Sequence, residues 1–184
     1  MPVIIETPRL ILRPLTQYDF ADLVRGLNNF NVSRNTARIP FPYAMADAEE
    51  FLAIASQTEA AALRLSITLK EGGDIVCGGA TYEPRESGAE AEIGYWLAEP
   101  QWGKGYGTEA ARAMVDHAFE VAGYAKMVAR YRLGNDASRR ILEGLGFVKT
   151  SETTCASRAE GAETLAAMMV LTHAAWTEAK GRAQ

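Results

Sequence analysis

The densest cluster of residues suited to chemistry is the glycine-rich segment from Gly103 to Thr108, with the sequence GKGYGT. Three glycines at alternate positions let the backbone turn tightly with no Cβ in the way. The residues that follow predict a helix, whose first amide groups and dipole would favour an anion. The segment therefore suggests a pyrophosphate-binding turn, although a glycine-rich connector without a ligand fits the same residues.

Two familiar phosphate-binding motifs do not match this segment. A dinucleotide-binding fingerprint that starts at Gly103 needs glycine at position 108, which is Thr108. A P-loop needs a glycine five residues before Gly103, and that position is Ala98. A P-loop is therefore excluded, and an NAD-binding domain has only the glycine-rich turn in its favour.

Metal and thiol chemistry have little support in the sequence. Cys77 and Cys155 lie far apart, and Cys77 stands in an apolar run with no basic partner, as an inert core thiol would. His117 and His173 have no partner at ligand spacing, so we expect both to be structural or surface residues. We therefore expect no metal site.

The composition limits the classes of protein to consider. The 184 residues are 48% hydrophobic and 23% charged, which is ordinary for a globular protein of one domain, residues 1–184. A net charge of −4 argues against a broad surface for nucleic acid or anionic lipid. The segment Met1 to Arg13 lacks the apolar stretch of a signal peptide, and no apolar run approaches a membrane span. We expect a cytoplasmic monomer or homodimer with reduced thiols that binds no membrane.

Before the glycine-rich segment, the N-terminal region predicts a strand, a helix and an irregular stretch. Leu10 to Arg13 is prone to form a strand, and Thr16 with Asp19 is typical of a helix N-terminus. From Asn28 to Tyr43 there is no clear period, which predicts a binding loop or a broken helix beside a substrate. Solvated loop charges would have the same pattern. The candidate substrate contacts in this stretch are Arg34, Arg38 and Tyr43.

The middle of the chain predicts antiparallel strands. Residues Leu65 to Leu69 alternate apolar and polar, Glu71 to Asp74 make a turn, and Ile75 to Tyr82 resume the extended pattern. A third strand, Ala91 to Leu97, has an apolar face and a second face that carries Glu92.

Helices and strands alternate after the glycine-rich segment. Apolar residues from Ala111 to Ala122 recur at spacings of three and four, and Gly123 would close that helix. A strand over Lys126 to Tyr131, a short helix over Asp136 to Gly144 and a strand over Thr164 to Leu171 follow, and then a polar tail. The order predicts an α+β fold with a mixed, mostly antiparallel central sheet flanked by helices. A ligand is expected where neighbouring strands diverge, beside the glycine-rich segment.

Motifs over nearly the whole chain resemble those of the GNAT superfamily of acyl-CoA-dependent N-acetyltransferases, in particular the branch that acetylates alanine or serine N-termini of ribosomal proteins. Their order and spacing, more than any single motif, make the resemblance specific. One departure is Trp102, because the phosphate loop of the family usually begins with Gln or Arg. The motifs are ETPRLILRPL at 6–15 with Asp19, EIGYWL at 92–97, WGKGYGTEA at 102–110, Asn135 with Ser138, and EGLGF at 143–147.

The resemblance implies the acyl-CoA N-acyltransferase (GNAT) fold, with acetyl-CoA as cosubstrate and no metal. It implies direct transfer of an acetyl group to a primary amine within one ternary complex. The cofactor-binding residues that it implies are Tyr95, Trp96, Leu97, Trp102, Gly103, Lys104, Gly105, Tyr106, Gly107, Thr108 and Asn135.

Glu92 matches the glutamate of the family on this strand and is the candidate general base. An amine attacks only when neutral, so a carboxylate that faces the cleft would accept its proton directly or through a water. At pH 7, neutralising an amine of pKa about 7.8 costs about 1 kcal/mol, whereas a lysine of pKa about 10.4 costs about 4.6 kcal/mol. Glu92 would therefore need to supply less free energy to deprotonate a protein N-terminus than to deprotonate a lysine. A solvated glutamate on the polar face of a strand would look the same.

Ser138 is the candidate general acid for the leaving thiolate. Many members of the family use a tyrosine for this step, and the matching position here is Leu142. In the N-terminal acetyltransferase branch a serine takes the role, and it matches Ser138. A helix N-terminal hydroxyl that bonds its own backbone is the alternative for Ser138, and a helix cap is the alternative for Asn135.

The acceptor remains open between a protein N-terminus and a small-molecule amine. A non-catalytic acyl-CoA-binding regulatory protein of the same fold is the alternative function, because Leu142 replaces the usual tyrosine. That alternative predicts cofactor binding without acetyl transfer, so the two can be separated by assay.

Overall fold

A computed structural model describes residues 2–56, 62–71 and 73–182, and eight strands of these residues form one sheet in the order β1-β2-β3-β4-β5-β6-β8-β7. Neighbouring strands run antiparallel except for β5 and β6, which are parallel. The predicted mixed, mostly antiparallel sheet is thus confirmed. The strands are β1 Ile5–Glu6, β2 Leu10–Arg13, β3 Leu63–Leu69, β4 Val76–Pro84, β5 Glu90–Leu97, β6 Lys126–Arg132, β7 Val148–Ser157 and β8 Ala162–Thr172.

Helices cover both faces of the sheet. The stripe of α4 that contains Ala111, Met114 and Ala118 is fully buried against one face, where it joins the main core. On the opposite face α1 and α3 enclose a second core around Leu23 and Leu27. The helices are α1 Phe20–Leu27, α2 Phe30–Ser33, α3 Met45–Ala55, α4 Tyr106–Glu120, α5 Asp136–Gly144 and α6 His173–Arg182.

The parallel pair β5 and β6 is the feature that creates the site. Because parallel neighbours need a crossover, the chain leaves β5, passes through the glycine-rich segment and α4, and returns as β6. The two strands pair only over Glu90–Ile93 and Lys126–Ala129, although both continue further. Residues 94–97 of β5 therefore diverge from β6 and open a gap in the sheet.

Two parts of the fold differ from the sequence prediction. The expected polar tail is helix α6, which is anchored where the Trp176 indole stacks near Phe119 and donates to Asp116 Oδ1 at 2.7 Å. Strand β7 was not predicted because it is an edge strand whose residues are mostly exposed and lack an apolar face. The predicted turn from Glu71 to Asp74 includes position 72, which lies outside the described residues. Within those residues, no helix is long and apolar enough to cross a membrane.

Candidate active site

A cleft of about 710 Å³ lies where β5 and β6 diverge. Its walls come from the glycine-rich segment, the divergent part of β5, the start of α5 and the segment after α2. This volume suits a cosubstrate-sized ligand. The fold thus brings together residues that are far apart in the sequence.

The glycine-rich segment forms one end of the cleft. Gly103 and Gly105 adopt left-handed backbone conformations, with φ of 74° and 81°. Such angles favour glycine, because a Cβ would strain the backbone. Helix α4 begins immediately afterwards at Tyr106, so the amide groups of its first turn lie at the cleft. This is the geometry that the sequence predicted for an anion-binding turn.

Three residues, Thr7, Arg9 and Glu109, hold this loop in position and are called the brace below. The Arg9 guanidinium donates to the Lys104 carbonyl oxygen at 2.9 Å and lies 4.7 Å from the centre of the Tyr106 ring. It also donates to Glu109 Oε2 at 2.7 Å, while the Thr7 hydroxyl donates to Glu109 Oε1 at 2.6 Å. Burial opposes ionisation of Glu109, but these hydrogen bonds outweigh it and hold the pKa of its carboxyl below the usual value. The loop is therefore held by charged side chains as well as by its glycines.

The divergent end of β5 forms the middle of the cleft. Tyr95, Trp96 and Leu97 all line it, and their backbone has no pairing with β6. On the other side these residues pair with β4, which keeps the strand extended. Backbone groups that face a gap in a sheet are available to hydrogen-bond a ligand. The Leu97 carbonyl oxygen already accepts from Trp102 Nε1 at 2.8 Å, so the main-chain groups that this part of the site offers come from the residues before it.

Ser138 lies at the start of α5 and faces Tyr95 across the cleft. The two hydroxyl oxygens are 3.1 Å apart, so one donates to the other. The Asn135 side chain accepts a hydrogen bond from the Ser138 backbone amide at 3.2 Å and caps the helix. Burial raises the pKa of Tyr95 to about 12, against the effect of its bond to Ser138. At neutral pH Tyr95 is therefore protonated and able to donate.

Glu92 lines the other end of the cleft, between two arginines. Its Oε2 accepts from Arg85 at 3.0 Å, and its Oε1 accepts from the Nε of Arg130 at 2.7 Å. The side chain is 26% exposed, so solvent and a ligand can both reach it. Glu83, opposite Glu92 on β4, is likewise held by Arg38, at 2.8 Å.

The structure brings most of the sequence-predicted residues to the cleft, including Trp102, Gly107 and Thr108. Arg34 and Arg38 line it as well. Tyr43 does not reach it: this side chain is 5% exposed and packs in the second core, so its placement as a substrate contact is corrected to a core position. The Lys104 side chain is not part of the wall and donates to Gln101 at 3.0 Å.

Sequence reasoning missed Arg85, Arg130 and the contact of Tyr95 with Ser138. Arg130 and Arg132 alternate with buried residues of β6, and that period could have placed both on one face. No local pattern marks Arg85, which follows the end of β4. Within residues 2–56, 62–71 and 73–182, no group of three or more His, Cys, Asp or Glu side chains could hold a metal ion.

The comparison with known families agrees with this geometry. Residues 9–148 match the model described as "Acetyltransferase (GNAT) domain". The chain belongs to the GNAT acetyltransferase family. It is accordingly an acetyl-CoA-dependent acetyltransferase, as the sequence resemblance predicted, and the matched region includes Arg9 and Glu109, the glycine-rich segment, Glu92 and Ser138.

Individual GNAT relatives are similar over different lengths. The uncharacterized N-acetyltransferase p20 of Bacillus licheniformis is 29% identical over 147 residues, which are 78% of this chain and 81% of p20. The uncharacterized protein YkkB of Bacillus subtilis is 46% identical over 56 residues, only 30% of this chain and 33% of YkkB. The structure of RimL, a ribosomal L7/L12 alpha-N-protein acetyltransferase in complex with coenzyme A, superposes with a TM-score of 0.79 at 18% identity. That superposition covers 92% of this chain and 98% of RimL, and it shows the shared fold.

Proposed function

We propose that this GNAT protein transfers an acetyl group directly from acetyl-CoA to a primary amine, with both substrates bound in the cleft between β5 and β6. The observation that carries the proposal is the arrangement of one continuous cleft. It has a glycine-rich turn and a helix N-terminus at one end, backbone that is not paired with β6 in the middle and a carboxylate at the other end. Each part corresponds to one requirement of the reaction.

The residues present fit acetyl-CoA. The open glycine turn at the start of α4 suits the pyrophosphate, because backbone amides there do not depend on the identity of the side chain at Trp102. The edge of residues 94–97 that is not paired with β6 suits the amide-rich pantetheine arm and the thioester oxygen. When bound, acetyl-CoA supplies the acetyl group on a thioester and a thiol as the leaving group.

Glu92 accepts the proton of the attacking amine in this proposal. Its carboxylate lies at the cleft and is partly exposed, so an amine can approach it directly or through a water. Arg85 and Arg130 fix the orientation of the carboxylate. An amine of low pKa, such as a protein N-terminus, makes the smallest demand on this base.

Ser138 returns a proton to the leaving thiolate in this proposal, and Tyr95 supports it. The Tyr95 hydroxyl is protonated at neutral pH and lies 3.1 Å from the Ser138 oxygen. A proton that leaves Ser138 can therefore be replaced from Tyr95. In this proposal the hydroxyls of Ser138 and Tyr95 together take the role of general acid, which many GNAT proteins give to a tyrosine at the position of Leu142.

We further propose that the chain is one acetyltransferase domain that acts in the cytoplasm on a protein N-terminus or a small amine. Support for an N-terminal acceptor comes from the shared fold with RimL and from the motifs of that branch. Support for the cytoplasm comes from the family, because acetyl-CoA is an intracellular metabolite. The acceptor site itself must then distinguish one amine from another.

The experiment that tests the proposed function combines a binding and a product measurement. Calorimetric titration with acetyl-CoA, and with NADH as the comparison ligand, should give micromolar binding of about −8 kcal/mol for acetyl-CoA only. Mass spectrometry should then detect acetylated product from a panel of N-terminal peptides and small amines. Binding without transfer to any amine would favour the non-catalytic acyl-CoA-binding alternative. Absence of binding at millimolar acetyl-CoA would contradict both.

A further inference from the structure

One face of the sheet carries three clusters in which one glutamate is shared by two arginines. Each cluster has two positive charges and one negative charge, and Glu90, which lies 4.0 Å from Arg85, is balanced by its own partner Lys126, so each cluster is cationic overall. This density of positive charge contrasts with the net charge of −4 for the whole chain. The clusters are Arg38–Glu83–Arg64, Arg85–Glu92–Arg130 and Arg34–Glu160–Arg132.

The cluster around Glu92 has hydrogen-bonding capacity to spare. Arg130 uses its Nε for Glu92, and its two terminal nitrogens have no partner among the described residues. Arg85 uses one terminal nitrogen for Glu92 at 3.0 Å and lies 4.0 Å from Glu90. Both arginines line the cleft and are more than one third exposed. A guanidinium with free nitrogens in a cleft is suited to bind a carboxylate or phosphate in a bidentate manner.

These arginines are too far from the glycine-rich turn to serve the pyrophosphate of acetyl-CoA. Leu97 lies five positions after Glu92 on the extended strand β5, a distance of about 16 Å. The turn at Gly103 lies beyond Leu97 along the chain. The positive charge around Glu92 therefore faces whatever binds at the opposite end of the cleft.

A second observation on the same face points to a polar ligand. Ser157, at the end of β7, is 3% exposed and lines the cleft. Its hydroxyl has no hydrogen-bond partner among the described residues. Because a buried hydroxyl without a partner is unfavourable, its presence on the cleft wall suits a ligand that brings polar atoms.

We propose that the acceptor carries an anionic group close to its amine, and that Arg130 and Arg85 bind this group beside Glu92. The inference rests on the proposed function and adds the substrate class: amines with a nearby carboxylate or phosphate. Two sources share this chemistry, a small amino-acid-like molecule and a peptide whose first residues are acidic.

Binding of such an acceptor would also prepare the base. An incoming anion competes with Glu92 for the two guanidiniums, and each bond that it takes releases a Glu92 oxygen to accept the amine proton. The acceptor anion thus takes over part of the guanidinium charge that otherwise pairs with Glu92. Neutral amines lack this exchange and are expected to be poorer substrates.

The test uses matched acceptors that differ only in side-chain charge. The peptide pair is Ser-Glu-Glu-Gly and Ser-Gln-Gln-Gly, both amidated at the C-terminus, and the small-molecule pair is glutamic acid α-amide and glutamine α-amide. In wild-type protein we expect kcat/KM for the anionic member to exceed that of the neutral member by about tenfold or more in at least one pair. The pair with the larger ratio identifies the source.

Variants of Arg130 and Arg85 test whether these two side chains cause the preference for the anionic acceptor. Arg130→Gln should bring the anionic-to-neutral ratio close to one by raising KM for the anionic acceptor, and Arg85→Gln should reduce it in the same direction. Arg139→Gln is the matched control, because Arg139 lies on α5, pairs with Asp136 and Glu143 and does not line the cleft. A wild-type ratio of one, or an equal loss with both acceptors in Arg130→Gln, would overturn the proposal.

A binding measurement separates this inference from the proposed function. Calorimetric titration of the CoA-bound protein with glutamic acid α-amide and with Ser-Glu-Glu-Gly should show binding that weakens at least fivefold in Arg130→Gln but not in Arg139→Gln. Such binding without acetyl transfer would support the anion site and contradict the enzymatic role. Transfer to neutral and anionic amines at equal rates would support the enzymatic role and overturn the anion site.

Discussion

The two ends of the cleft are built in different ways. At the end proposed for acetyl-CoA, the cofactor end, the wall is backbone: glycines of positive φ and the first turn of α4, held in position by Arg9 and Glu109. At the end proposed for the amine, the acceptor end, the wall is long charged side chains from β4, β5, β6 and the segment after α2. A backbone site recognises a group that never changes, such as pyrophosphate. A site of side chains can be altered one residue at a time, so we expect substrate specificity to reside at the acceptor end.

The largest expected effect is at the acceptor end. Replacement Glu92→Gln removes the base while it keeps the size and polarity of the side chain. We expect kcat to fall by about 10²- to 10⁴-fold, which is the usual contribution of a general base. Calorimetry should find acetyl-CoA affinity within a factor of about two of wild type. A turnover equal to that of the wild type would assign the base elsewhere.

At the cofactor end, a substitution should change acetyl-CoA binding. Gly105→Ala introduces a Cβ at φ 81°, where left-handed backbone costs about 1–2 kcal/mol, and that Cβ would lie 3.2 Å from an Arg9 nitrogen. Acetyl-CoA affinity should fall by about 5- to 30-fold in calorimetry. Gly123→Ala, at φ 74° beyond the end of α4, carries similar strain away from the cleft and should lower stability alone. Equal acetyl-CoA affinity in both variants would contradict the role of the turn.

The hydroxyls of Ser138 and Tyr95 lie in the middle of the cleft, between the cofactor end and the acceptor end. Ser138→Ala and Tyr95→Phe each remove one hydroxyl of the 3.1 Å contact, and we expect each to lower kcat by about 10- to 100-fold. If the hydroxyls act as one proton path, the double variant should be little worse than the poorer single variant. Rate losses that multiply fully would show that the two residues act independently.

The smallest expected effect concerns the brace. Glu109→Gln weakens the contacts with Arg9 and Thr7, and acetyl-CoA affinity should fall by roughly two- to fivefold, as for a partly exposed ion pair.

Because the folded pKa of Glu109 is below its usual value, the brace is complete above about pH 4.3 and is lost as the pH falls through that lowered pKa. The wild-type acetyl-CoA affinity, titrated by calorimetry from pH 8 to pH 5, should therefore lose no contribution from Glu109. A decline across this range that Glu109→Gln abolishes would contradict the lowered pKa.

The contrast between the ends also explains what the sequence could predict. The glycine-rich turn and the amphipathic strand of Glu92 depend on local periodicity and on residues close in the chain, and both were predicted with their approximate boundaries. The Arg9–Glu109 brace joins residues 100 positions apart, and the Glu92 cluster joins three strand-associated segments. The first contact follows from the packing of α4 against β2, and the second from the register of β4, β5 and β6, neither of which a single segment contains. Tyr43 illustrates the same limit, because its local sequence indicated a binding loop whereas packing placed it in a core.

The central claim is that acetyl-CoA and the amine occupy the two ends of one cleft at the same time. Initial rates should be measured with acetyl-CoA and the best acceptor varied together, using free CoA formation as the signal. Direct transfer in a ternary complex predicts reciprocal plots that intersect. Parallel reciprocal plots, together with an acetylated protein detected by mass spectrometry in the absence of acceptor, would show a covalent intermediate and contradict the account.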